Sequence, residues 1–159
     1  MKLSQLGVPA VLIEKASFPR DKVCGDALSG KVMRTLERLD PTLAAEIKQD
    51  HGSMPSWGVT FTAPSGRSLR VPFSRTTGLG EAPGAIMKRY EFDALLFGRV
   101  KLAPQITVLE QTTATKFDRT EKGWQITTNS DQVIEAQLIL DASGANSNFA
   151  RTVAGLKLD

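Results

Sequence analysis

An α/β fold with an inserted antiparallel β region is the architecture this sequence predicts, and three observations predict it. Val11-Leu12-Ile13 and Leu138-Ile139-Leu140 are short, wholly apolar runs, the pattern of strands buried on both faces. Apolar residues recur at helical spacing over 29–39 and 90–102. Between and after these segments, β-formers come in closely spaced groups punctuated by Gly, Asn and Ser.

Taken in order, Leu3, Leu6 and Val8 form a helix tail stopped at Gly7, and 11–13 is the first buried strand. Residues 16–27 have loop character. Val32, Leu36 and Leu39 define a helix over 29–39, with Pro41 just past its end. Trp57 to Thr62 and Leu69 to Phe73 read as a hairpin turning at Ser65-Gly66. Residues 74–84 form a loop, and Ala85 to Lys88 a third strand. Phe92, Leu95, Leu96 and Val100 define a helix over 90–102. A strand at 106–109 precedes three evenly spaced strands, 112–118, 123–128 and 132–136, which form an antiparallel meander. A last buried strand, 138–141, opens into Ala142-Ser143-Gly144-Ala145-Asn146-Ser147, with Ser147 placed to cap a further helix.

Composition narrows the function classes. With 159 residues the chain can build one sizeable core. The net charge of +3 is small and its basic residues are scattered, so nothing supports nucleic-acid binding. One Cys and one His leave no disulfide and no metal site of the Cys/His type. No apolar run is long enough to span a membrane and none resembles a signal peptide, which makes a cytoplasmic location, with peripheral membrane contact open, the expectation.

The residues that carry chemistry lie at element ends. Glu14 ends the first buried strand, where an acid accepts hydrogen bonds from ribose hydroxyls; the plainer reading is an ordinary polar strand end. Lys15 follows it. Arg20 and Lys22 flank Asp21 and can face phosphates or simply water. Gly25 permits close backbone approach, and Cys24 is either near a ligand or a small apolar residue. Arg89 stands at a helix start, within reach of an anion or as surface charge. Asp141, Ser143 and Gly144 shape the small-residue turn, which offers backbone N–H groups and hydroxyls, or serves only as a strand-to-helix connection. His51 lies in a polar stretch without a partner.

Four segments in this order carry a family resemblance. Val11-Leu12-Ile13-Glu14-Lys15, Phe18-Pro19-Arg20-Asp21-Lys22-Val23-Cys24-Gly25-Asp26, Lys88-Arg89-Tyr90-Glu91-Phe92-Asp93, and Ile139 to Ser147 resemble flavoproteins of the geranylgeranyl reductase and para-hydroxybenzoate hydroxylase type, which include flavin-dependent halogenases. The resemblance implies an incomplete Rossmann-like FAD-binding core. Residues 1–56 would be its first part, 57–88 an inserted substrate-facing β region, and 89–159 the return to the core with the meander. A glycine-rich G-x-G-x-x-G turn is expected about 20 residues before such an acid, and Glu14 leaves no room for it. A later Gly-Asp motif is also absent, and Ala142-Ser143-Gly144 stands where the family has Ala-Asp-Gly.

The chain is therefore expected to be the central part of a larger enzyme and, alone, to bind FAD poorly or not at all. The implied activity is an FAD-dependent oxidoreduction with NAD(P)H as electron donor and a small apolar, isoprenoid-type substrate. Flavin-dependent monooxygenation or halogenation is the alternative, and a nonredox ligand-binding or interaction module the competing class. The implied cofactor contacts are Glu14, Lys15, Arg20, Lys22, Cys24, Gly25, Arg89, Asp141, Ser143 and Gly144. No acid or base for catalysis is assigned, and Cys24 is the only candidate for a direct part in the chemistry.

Overall fold

The computed structural model describes residues 1–73 and 80–155. It has mixed α/β architecture with several small sheets and separates into two compact units. One holds Met1–Ala10 and Phe18–Ile106; the other holds Val11–Ser17 and the chain from Thr107 onward.

The first unit begins with the short helix α1 (Lys2–Gln5), then reaches β2 (Ala27–Leu28), α2 (Gly30–Leu39) and α3 (Pro41–Gln49). Next come β3 (Met54–Ser56), β4 (Gly58–Thr62), β5 (Ser68–Pro72), β6 (Gly84–Ile86) and α4 (Arg89–Lys101). Strands β2, β6 and β3 form an antiparallel sheet with β6 in the centre. Leu28, Met33, Leu36, Leu43, Ile47, Met87 and Phe92 bury themselves together as the core. α4 thus starts where its first turn is anchored in that core through Phe92, which fixes the position of Arg89.

Three elements here are absent from the sequence expectations, the first being β2, whose Ala27 closes the stretch expected to be a loop. Pro41 begins α3 and does not merely follow α2. Asp40 supplies the reason: its Oδ1 accepts from Thr42 N at 3.0 Å, Leu43 N at 3.1 Å and Thr42 Oγ1 at 2.6 Å. A proline at the first helical position needs no N–H partner, so an Asp-Pro pair opens a helix as readily as it closes one. β3 also went unseen, because three residues of Met-Pro-Ser carry no period and owe their strand form to pairing with β6. The predicted 74–84 loop lies largely on residues outside those described.

The hairpin falls where it was expected. Val59 faces Val71 and Phe61 faces Leu69, while Thr60, Arg70, Thr62 and Ser68 form the opposite face. Gly66 turns the chain at φ 81°, a left-handed conformation that suits glycine. All four apolar residues of the first face are exposed.

The second unit contains most of β1 (Ala10–Ile13) and β7 (Ile106–Leu109), which pair with each other. Ala10 N donates to Gln105 O at 3.0 Å and Glu14 N to Leu109 O at 2.9 Å, so the register advances in parallel. The meander follows as expected: β8 (Ala114–Thr120), β9 (Gly123–Thr128) and β10 (Val133–Ala136) pair in the order β10-β9-β8, with an irregularity between Ala114 and Lys116. Gly123 sits at φ 144°, and a Cβ there would strike Ala136 O, so only glycine fits the β8–β9 turn. Helix α5 (Asn148–Thr152) closes the unit, with Phe149 meeting Phe117 and Trp124 edge-on at ring separations of 5.0 and 5.5 Å.

Two expectations of burial are corrected. Residues 138–141 form no strand, and Leu138 and Leu140 are about 70% exposed. Val11 and Leu12 of β1 are also partly exposed, not buried on both faces. The cause is pairing: a parallel strand is buried only inside a sheet of several strands, and β1 has β7 as its sole neighbour among the described residues.

Candidate functional site

The residues singled out by sequence fall into one group in each unit. In the first unit the fold assembles them around the start of α4. Arg89 turns back along its own helix onto Asp93 one turn later. Its Nε donates to Asp93 Oδ1 and one terminal nitrogen to Oδ2, both at 2.8 Å. This fork fixes the guanidinium in both distance and plane. Arg20 reaches the same Oδ2 from the preceding loop at 3.4 Å. Asp93 is 8% exposed, so this carboxylate is held out of water by its cationic partners.

Arg20 also lies over the Phe18 ring at 4.8 Å, and Phe18 stacks on Phe97 of α4 at 4.0 Å. The 18–20 loop is thereby moored on the helix that carries Arg89. Asp26 caps α4 from the other side, its Oδ1 accepting Arg89 N at 3.2 Å. Asp93, first, raises the affinity of the Arg89 guanidinium for its proton, and the neighbouring Cys24 thiol adds to this. The cluster borders an open cleft of about 480 Å³ whose wall holds Lys2, Arg20, Arg89, Asp93, Leu96 and Phe97.

The remaining residues of this group are peripheral to the ion pairs. Lys22 and Cys24 are exposed. A Cβ at Gly25 would meet nothing within 4 Å, and its φ is not left-handed, so neither packing nor backbone geometry within the chain requires glycine there.

In the second unit, Glu14 directly follows β1 and is half-buried. Its Oε1 accepts Ala16 N at 2.8 Å, which holds the side chain at the strand's carboxyl end. Its own main chain continues the sheet, with Thr112 N donating to Glu14 O at 3.0 Å. Lys15 beside it is exposed. Asp141 organises the small-residue turn. It accepts Ser143 N at 3.1 Å, Ser143 Oγ in a short contact, and Ser147 Oγ at 2.5 Å. The Ser143 hydroxyl first, and then that of Ser147, hold the Asp141 carboxyl below its ordinary range. Ser147, buried, caps α5 through Ala150 N at 2.9 Å, as its position predicts. Gly144 takes φ 81° with open space around it.

Sequence reasoning missed Asp93 and the Phe18–Phe97 stack. Asp93 was legible as an i,i+4 partner of Arg89 on a helix. The stack joins residues 79 positions apart, which no local pattern reveals. His51 is exposed, as expected, and no cluster of potential metal ligands occurs among the described residues.

What these groups offer is polar recognition without an acid–base pair. The first presents two guanidiniums against one carboxylate beside an apolar wall, suited to a phosphate. The second presents a strand-end carboxylate for hydroxyls and an exposed small-residue turn with free approach.

No protein-family model and no curated protein match the chain. Solved structures do. A probable FAD-dependent monooxygenase from Pseudomonas aeruginosa, PqsL, is 18% identical with a TM-score of 0.79, over 99% of this chain and 42% of that one. The p-nitrophenol 4-monooxygenase PnpA of Pseudomonas putida is 15% identical with a TM-score of 0.80, over 99% and 40%. The flavin-dependent halogenase CmlS is 25% identical with a TM-score of 0.76, over 96% and 28%. The chain spans about two-fifths of the length of the first of these. It therefore has the fold of a part of the flavin-dependent monooxygenases and halogenases, shared at a level of identity that speaks to fold.

Proposed function

We propose that this chain is the part of an FAD-dependent oxidoreductase that supplies the ribose-binding acid and one arginine cluster of the cofactor site. The observation that carries the reading is Glu14: a half-buried carboxylate, held by Ala16 N, at the carboxyl end of a parallel strand. Acids at this place in such sheets bind ribose hydroxyls. The neighbours support an oxidoreductase, and among them monooxygenases and a halogenase favour oxygen chemistry over the reduction of an isoprenoid double bond. The reductase reading rests on the resemblance of Phe18 to Asp26 and of Asp141 to Gly144.

When bound, FAD supplies the redox chemistry, and the protein binds and orients it. Glu14 would hold the adenosine ribose. Arg20, with Lys22 nearby in sequence, would balance phosphate charge, Arg89 would border the same cleft, and the 141–147 turn would offer backbone N–H groups. The exposed apolar face of β4 and β5 would front an apolar substrate, and NAD(P)H would be the electron donor. Titrating the protein with FAD and following flavin fluorescence tests the reading. Weak, saturable binding is expected, and Glu14→Gln should reduce its affinity about tenfold, the worth of one charge-assisted hydrogen bond. Equal affinity in the variant would remove Glu14 from the site.

A further inference from the structure

The two arginines at the start of α4 are held very differently by one carboxylate. Arg89 makes a two-bond fork at 2.8 Å, lies on the same helix as Asp93, and has its main-chain N–H capped by Asp26. Arg20 makes a single 3.4 Å contact from a loop, with its side chain 28% exposed against 19% for Arg89. Both line the same cleft, in which Lys2 adds a further cation. A carboxylate satisfied by one fork does not need its second, longer partner. Arg20, whose guanidinium also rests on the Phe18 face, can turn away from Asp93 without leaving a buried charge bare.

We propose that Asp93 is a positioning residue that divides the work of the two arginines. It locks Arg89 into the frame of α4 and holds Arg20 loosely enough to be released to an incoming phosphate group. The source of that phosphate as FAD rests on the function proposed above; the division of roles rests on the geometry alone. The consequence differs from the family resemblance, which gives both Arg20 and Arg89 the part of cofactor contact: here Arg89 is spent on Asp93, and of the two only Arg20 carries deliverable charge.

Peptide-resolved labelling of arginines with phenylglyoxal tests this on the protein itself, with inorganic pyrophosphate as the probe. Arg20 should be modified about tenfold faster than Arg89, since a fork of charge-assisted bonds must open to expose the latter. Pyrophosphate should slow labelling of Arg20 and leave Arg89 unchanged. Asp93→Asn should bring Arg89 up to the rate of Arg20, and Asp93→Glu should restore a slow Arg89. Equal rates in the unaltered protein, or protection of Arg89 in place of Arg20, would overturn the proposal. If circular dichroism shows Asp93→Asn unfolded, Arg20→Gln takes its place. It should weaken pyrophosphate binding about tenfold by calorimetry while Arg89 stays slow, and unchanged binding would overturn the proposal. FAD forms the second arm. Protection of Arg20 by pyrophosphate but not by FAD would sink the FAD reading and leave the division of roles standing. Saturable FAD binding with Arg20 unprotected by either probe would do the reverse.

Discussion

Asp40 and Asp141 show how single carboxylates set local structure here. Each accepts several hydrogen bonds from its neighbours and titrates below the ordinary carboxylate range, Asp40 chiefly through the Thr42 hydroxyl. A carboxyl whose folded value is depressed stabilises the fold above its unfolded value. That contribution is lost as the pH falls through the folded one. The cap on α3 and the turn before α5 should therefore weaken on acidification below the usual carboxylate range, not on moving toward alkaline pH. Thermal melts from neutral to acidic pH check this, because Asp40→Ala should flatten the acid limb. At neutral pH the same variant should cost about 1 kcal/mol as a lost N-cap, a drop in Tm of roughly 2–4 °C. Asp93 belongs to the same scale but a different class, since its bonds run to side-chain cations and its burial makes them matter.

At the scale of elements, the core of the first unit depends on the two helices that the Asp40-Pro41 step joins. Leu43 and Ile47 of α3 are fully buried. Leu43→Ala should cost about 2–5 kcal/mol as a cavity, read by urea denaturation, and a loss below about 1 kcal/mol would mean that α3 packs less tightly than described. In the second unit Gly123→Ala should destabilise the meander through both its φ and the Ala136 carbonyl, with the loss visible in the same denaturation curve.

How much of this was legible follows from where the information sits. The helices at 29–39 and 90–102, the hairpin and the meander follow from apolar period and turn residues within each segment. Asp40-Pro41 was ambiguous because the same two residues end one helix and start another. Leu138 to Leu140 was misjudged because an apolar run states only that burial would be favourable, while a strand also needs a neighbour to pair with. At the site, Glu14, Arg20 and Arg89 could be named from position and Asp93 from its i,i+4 spacing to Arg89, whereas the Arg20–Asp93 contact and the Phe18–Phe97 stack come from tertiary packing.

For the whole molecule, the uncovered apolar surface is the main physical consequence. Phe61 and Leu69 stand side by side on the hairpin, each more than 60% exposed, and Leu138 and Leu140 are similarly bare. Contiguous exposed apolar residues on strands favour association. Light scattering should show concentration-dependent assembly, reduced in Phe61→Lys combined with Leu69→Thr with circular dichroism unchanged. A monomer at all concentrations would mean that these faces are not sticky.

The central claim, that the strand-end acid belongs to a cofactor site in a flavoprotein fold, is tested most directly by titrating the protein and its Glu14→Gln variant with FAD under identical conditions. The account predicts saturable quenching of flavin fluorescence, with a Kd between about 10 µM and 1 mM, and a roughly tenfold weaker curve for the variant. Saturable quenching that is identical in both proteins would contradict it.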